Sequence, residues 1–239
     1  MKIVIIYGSK SKGSTYNCVQ LFKNYLRELT KVTFTEFTLP THLPHICLGC
    51  FTCFKNGEDK CPHAEYVQPI ATALREADGI ILSSPVYACD VSGALKTLFD
   101  HLCYIWMTHR PMEEMFSKIG MVITTAAGAG AVTSIRTMKK NLKYWGVRRT
   151  LSFGGPIAAT SWQEVSLKTK TEFERKLKSI AVKFNHLVTY RSKIHSKLFT
   201  KILFRLLGKM VTSYKEGSIL ERDKKYWEGK GWPDKNVPF

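Results

Sequence analysis

The feature that most constrains this chain is an alternation of two periods along its first 190 residues. Short runs rich in β-branched residues are each followed by a longer stretch with apolar residues at helical spacing, the pattern of βαβ units building a parallel sheet. The runs predict strands at about 2–7, 32–37, 78–84, 119–125 and 147–153, and the stretches predict helices near 15–29, 64–76, 92–105, 131–143 and 166–189. Gly79-Ile80-Ile81-Leu82 and Met121-Val122-Ile123 are nearly continuous apolar segments, as expected of central strands covered on both faces. Val32-Thr33-Phe34-Thr35-Glu36-Phe37 alternates instead, which suits an edge strand. Five parallel strands in a doubly wound sheet predict the order 2-1-3-4-5, with a ligand at the switch point beside the ends of strands one and three. The loops that begin at Gly8, Ser84 and Thr124 are therefore the ones to inspect.

Charge and length narrow the reading. The 239 residues carry 36 basic and 19 acidic side chains, a formal excess of +17. Much of it is local, because residues 175–215 contain no acid and eleven bases. Such a field attracts nucleic acid, anionic lipid or acidic partners, but the chain shows no nucleic-acid reader motif, so no nucleic-acid role is expected. No apolar run reaches the eighteen or so residues of a membrane span. Met1–Tyr7 is too short for a secretory signal and reads as a buried strand, which points to a cytoplasmic protein with reduced thiols. Two parts are expected: an α/β domain over 1–190 and a basic amphipathic extension over 191–239.

The first candidate loop, Gly8-Ser9-Lys10-Ser11-Lys12-Gly13-Ser14-Thr15, is dense in hydroxyls and opens into a helix. Amides at a helix start, hydroxyl donors and glycines that permit close approach suit a phosphate; Ser14 and Thr15 are equally good plain N-caps. The spacing is neither a P-loop nor G-x-G-x-x-G, which weakens a nucleoside triphosphate or NAD Rossmann reading. The second loop, Ser84-Pro85-Val86-Tyr87, leads to Ser92-Gly93, and the third is Thr124-Thr125-Ala126-Ala127-Gly128-Ala129-Gly130. Both offer the backbone amides and small-residue walls that a flat ring system needs.

Together these three segments resemble the NADPH-dependent FMN reductase family, in register over about residues 1–155. The resemblance implies a flavodoxin-like α/β fold and bound FMN. It assigns the phosphate to Ser9, Ser11, Ser14 and Thr15, with Lys12 and Gly13 in the same loop. Pro85, Val86, Tyr87 and Ala88 would line the ring, and Thr125, Ala126 and Gly128 its far edge. The family often places a basic residue near Ser11; here Lys10 and Lys12 flank it. In such proteins hydride passes from NAD(P)H to flavin N5 and electrons go on to a quinone, nitro compound, flavin or similar small-molecule acceptor, so no catalytic side chain is required. The family is commonly dimeric, which implies a homodimer.

Cys47, Cys50, Cys53 and Cys61 form C-x2-C-x2-C-x7-C, followed by Pro62. Three thiolates at three-residue steps with a fourth close by can wrap a cubane, as in ferredoxin-type runs, whereas structural zinc more often uses two separated knuckles. Reduced thiols without metal, zinc and a redox disulfide are the other readings. The spacing resembles the iron–sulfur flavoproteins of the same superfamily, which implies a [4Fe-4S] cluster and a ferredoxin as partner; other relatives with a cysteine-rich loop are flavin-only. Cys18, Cys89 and Cys103 read as small core residues. Tyr87, Tyr104 and Trp106 are candidate stacking residues, although core packing is the commoner use of such aromatics.

From Arg191 to Met210, Lys193, Lys197, Lys201, Arg205 and Lys209 recur at four-residue steps among Ile194, Leu198, Phe199, Ile202, Leu203, Leu206 and Met210, which predicts a basic amphipathic helix. It would dock on the domain or across a dimer, or contact an anionic membrane surface or an acidic electron donor. Tyr226–Trp232 is too aromatic for a free tail and should pack on a neighbouring surface, the flavin region of a partner subunit being one such surface. A non-enzymatic flavodoxin-type carrier is the reading from another class; carriers of that kind are usually acidic.

Overall fold

The computed structural model describes residues 1–159 and 161–239. Five parallel strands form the sheet: β1 (Lys2–Tyr7), β2 (Thr33–Thr38), β3 (Gly79–Tyr87), β5 (Ile119–Ala126) and β6 (Arg149–Pro156), in the order β2-β1-β3-β5-β6. This is the expected order. The added element is β4 (Asp90–Val91), which turns back antiparallel on the end of β3.

Side chains alternate along each strand, so the sheet feeds two cores. Ile3, Ile5, Ile81, Met121 and Ile123 face α1 (Ser14–Leu29) and α6 (Leu167–Thr189). Val4, Ile6, Ile80, Leu82 and Val122 face α3 (Ala64–Glu76), α4 (Gly93–His101) and α5 (Ala131–Tyr144). Between β2 and α3, α2 (Thr52–Lys55) is a single helical turn inside the cysteine loop. β5 is buried along its whole length, whereas β2 at the edge is half wet. Each fully buried aliphatic side chain contributes about 1.5–3 kcal/mol before conformational entropy is counted.

Buried Lys118 is one of the charged side chains set into this apolar frame. It precedes β5, and its ammonium donates to the Arg75 carbonyl at 2.7 Å and to the Ala77 carbonyl, tying the end of α3 to the sheet. Burial pushes its pKa down from an ordinary 10.5 to about 8. Between those values the folded chain has released a proton that the unfolded chain still holds, so stability rises with pH across that window. The urea midpoint is expected to climb from pH 8 to pH 10 relative to Lys118→Met, in which this contribution is missing.

The predicted helix over 92–105 ends at His101, and a short 3-10 turn at Cys103–Ile105 follows. The predicted helix from Arg191 begins only at Leu198, as α7 (Leu198–Thr212). The reason lies in side chains that take the preceding carbonyls: Arg148 donates to Arg191 O and Arg149 to His195 O, both at 2.8 Å. Arg191 is itself held by Asp78 at 2.7 Å.

The terminal aromatics pack within their own chain. Trp227 and Trp232 join Phe204 and Val211 of α7 in a third apolar cluster against Met107 and Phe116. Trp227 belongs to α8 (Glu221–Lys230), and Phe204 stacks near it at 4.6 Å between ring centroids. The opposite side of α7 leaves Leu198, Phe199, Ile202, Leu206 and Met210 exposed. Among the described residues no helix is long and apolar enough to cross a membrane.

Candidate functional site

The carboxyl edge of the sheet opens into a cleft of about 330 Å³ at the β1/β3 switch point. Gly8 makes this edge close-packed. Its amide donates to Ser83 O at 2.7 Å, and a Cβ there would stand 2.9 Å from that oxygen and 3.0 Å from Ser92 Oγ. Ser92 caps α4 by accepting from Leu95 N at 3.2 Å, and its hydroxyl donates to Gly8 O. Thr124 Oγ1 in turn donates to Ser84 O at 2.6 Å, so small hydroxyl residues stitch β1, β3 and β5 together just below the cleft.

The loops above are joined the same way. Thr15 Oγ1 and Thr125 Oγ1 share a hydrogen bond of 2.7 Å, and Ser9 Oγ lies 3.3 Å from Tyr87 OH. Ser9 Oγ also accepts from Ser11 N at 3.1 Å. At the start of α1 the N-cap is Gly13, which has no side chain to cap with, and the first amide to find an intrahelical acceptor is Asn17, bonded to Gly13 O. Ser14 and Thr15 are helical residues, not caps. Ser14 Oγ is buried without a hydrogen-bond partner among the described residues. An uncapped helix start and an orphaned hydroxyl in a cleft wall both call for an anionic oxygen.

Of the residues expected in the site, Ser9, Ser11, Gly13, Ser14, Thr15, Pro85, Val86, Tyr87 and Thr125 line the cleft. Four lie elsewhere. Lys12 points to solvent, Ala88 sits at an exposed turn, Ala126 is buried in β5, and Gly128 is exposed, with Ala127 lining the cleft between the last two. Sequence reading missed Tyr7, Tyr16, Ile157 and Ala159. Ile157 and Ala159 reach the cleft because β6 runs to Pro156, three residues past its predicted end, and Ile157 N continues the pairing to Ala126 O at 2.9 Å.

Tyr7 is anchored beside the cleft. Its hydroxyl donates to Glu36 at 2.7 Å and accepts from Gln20 at 2.9 Å, while Lys23 donates to the same carboxylate at 2.7 Å. Burial and the Glu36 carboxylate push its pKa well above the ordinary tyrosine value. Tyr16 packs on it at 5.5 Å between centroids. Tyrosines are the only titratable side chains among the lining residues, so what the cleft offers is binding and positioning.

Tyr87 ends β3 at a two-residue turn, Ala88-Cys89, with φ of 47° and 63°. Such type I′ turns favour Asn-Gly, and each residue forced into the left-handed region costs about 1–2 kcal/mol. Cys89 is therefore an exposed turn residue rather than the core residue expected, whereas Cys18 is buried and Cys103 half-buried.

In the cysteine loop, Cys47 and Cys50 are exposed and Cys53 and Cys61 half-buried. The Cys61 thiol is pushed up by burial and by Cys53, Cys50 and Cys47, so the four sulfurs lie within electrostatic reach of each other. Cys53 is brought down to about 7 by the Cys103 thiol and, against burial, by the Arg110 guanidinium. Among the described residues, the three ligating atoms that come within 4.8 Å of one another belong to Cys61, His63 and His101, so one of the four thiols takes part.

Arg110 fixes this loop from below. It donates to Cys53 O at 2.6 Å, to Glu58 at 3.1 Å and to Asp223 of α8, which is fully buried. His109 completes the pairing at 2.7 Å from Asp223. The other candidate stacking residues are structural: Tyr104 is buried, and Trp106 stacks on Tyr144 at 4.5 Å.

Known proteins are similar to this chain in sequence and in fold. An iron-sulfur flavoprotein of Clostridioides difficile is 26% identical over 255 aligned positions, covering 97% of this chain and 99% of that protein. One from Methanocaldococcus jannaschii is 29% identical over 171, covering 69% and 83%. An azoreductase from Bacillus anthracis shares the fold, with a TM-score of 0.59 at 15% identity over 77% of this chain and 100% of that one. The sequence pattern of NADPH-dependent FMN reductase matches residues 1–155. That stretch runs through the five parallel strands and holds most of the cleft wall, and the chain belongs to the NADPH-dependent FMN reductase family as a flavin-dependent oxidoreductase.

Proposed function

We propose that the cleft binds FMN, that Cys47, Cys50, Cys53 and Cys61 hold a [4Fe-4S] cluster, and that the protein moves electrons between a donor and a small-molecule acceptor. The donor is a reduced nicotinamide or a ferredoxin. The observation that carries the flavin reading is Ser14: a buried hydroxyl without a partner, at an uncapped helix start, in the wall of a cleft at the switch point. The cluster reading is supported by the spacing and by likeness to an iron-sulfur flavoprotein over 97% of the chain.

FMN supplies two-electron acceptance at N5 and one-electron release, and a cluster supplies one-electron relay. The chain's part is positional. Ser9, Ser11, Ser14 and Thr15 hold the phosphate with the α1 amides, and the Thr15–Thr125 bond sets the distance between the phosphate loop and the far wall. Pro85, Val86 and Tyr87 form one wall, and Ile157 and Ala159 add apolar lining.

Anaerobically purified protein is expected to bind one FMN per chain and to contain iron and acid-labile sulfide matching one cubane. Ser14→Ala removes a hydrogen bond to a charged group, about 1.5–3 kcal/mol, and should weaken FMN binding by roughly tenfold or more. Folded protein that is colourless and takes up no FMN at micromolar concentration overturns the reading. Flavin without iron leaves a flavin-only NAD(P)H reductase.

A further inference from the structure

Among the described residues, three metal-ligating atoms come together where one cysteine of the loop meets two histidines. Cys61, His63 just before α3 and His101 at the end of α4 place one ligand atom each within 4.8 Å of one another. His101 is buried, and its Nδ1 lies 2.9 Å from Thr97 O. A carbonyl only accepts, so Nδ1 carries the proton and Nε2 presents a lone pair. That lone pair faces His63 Nδ1 at 3.0 Å, which must then be the donor. His45 stacks on the His63 ring at 4.8 Å between centroids.

An imidazole fixed by a carbonyl through one nitrogen, with the other aimed at neighbouring ligands, is how metal-bound histidines are oriented. We propose that Cys61 Sγ, His63 Nδ1 and His101 Nε2 form a three-ligand site for a zinc-class divalent metal ion, with the fourth position open to water. One thiolate and two imidazoles suit zinc or cobalt and not magnesium or calcium. Binding moves the His63 proton from Nδ1 to Nε2 and releases the Cys61 proton to solvent, with no change of oxidation state. Resting on the cluster reading above, the site has a consequence: Cys61 serves one metal at a time, so zinc and cluster assembly exclude one another.

The test is titration of reduced, chelator-stripped, FMN-containing protein with cobalt(II) under argon. One equivalent should bind with a thiolate-to-cobalt charge-transfer band. Cys61→Ser should abolish the band, and His63→Ala and His101→Ala should each weaken binding at least tenfold. The Cys47→Ser/Cys50→Ser double variant should retain it. Retained FMN binding certifies that each variant is folded, and half-buried His63 provides a variant less exposed to misfolding than His101. Cobalt binding indifferent to both histidines but lost in the double variant overturns the proposal in favour of a four-thiol centre, and no binding overturns it outright. In a second arm, one equivalent of zinc should block reconstitution by iron and sulfide in the native chain and not in His63→Ala. A chain that binds cobalt as described but never assembles a cluster keeps this site and loses the cluster reading.

Discussion

Asp223→Ala should lower the free energy of unfolding by about 3–5 kcal/mol, the cost of leaving a buried charge without its partner. Asp223 is fully buried and receives both Arg110 and His109. Arg110, itself 6% exposed, would keep the Cys53 carbonyl, the half-exposed Glu58 and the ring faces of Phe54 and Tyr104, but no buried carboxylate among the described residues. The damage should not stay local. α8 also holds the 109–113 segment through Tyr226, which donates to Pro111 O at 2.6 Å, and through Lys230, paired with Glu113 at 3.0 Å. Urea unfolding gives the stability, and proteolysis between Cys47 and Cys61 should accelerate if Arg110 is what fixes that loop. Native-like stability in Asp223→Ala would show that the network is neutral.

Gly130→Ala should be nearly as costly and should strike the flavin cleft. Gly130 has φ of 96°, and a Cβ would sit 2.6 Å from Val86 Cγ1 and 2.8 Å from the Cys89 Cα. The left-handed backbone costs about 1–2 kcal/mol for an L side chain, and overpacking adds about 1–3. Relief would come by pushing back the β3–β4 hairpin, whose Val86 and Tyr87 wall the cleft. FMN titration and urea unfolding should both shift, binding by tenfold or more. Gly128→Ala, exposed and with nothing within 4 Å of its Cβ, is the control that should change neither.

The sheet was legible in the sequence because its signal is local and strong. Period-two and period-3.6 patterns alternate without interruption, and the apolar runs of β3 and β5 could only be central strands. The phosphate loop was legible because hydroxyls and glycines cluster between a strand and a helix. What escaped reading depends on contacts far apart in the chain. Ile157 and Ala159 enter the cleft by sheet register with β5. The start of α7 is delayed by arginines 43 and 46 residues away in sequence. The Ala88-Cys89 turn lacks the Asn-Gly signature its geometry favours, so nothing local announced it. His101 meets His63, 38 residues away in sequence, and His109 meets Asp223, 114 away, through the packing of α4 and α8 and not through any local pattern.

The exposed flank of α7 has a bearing on how the molecule meets others. Lys197 lies near enough to Lys139 of α5 to depress that ammonium further, beyond what burial does, and Lys143 sits 3.8 Å above the Phe199 ring. With no acid anywhere from Arg175 to Lys215 to offset them, these cations give the protein an electrically polarised end. In 0.1 M salt such a field reaches about 10 Å beyond the surface before it is screened, and it shrinks to about 3 Å at 1 M.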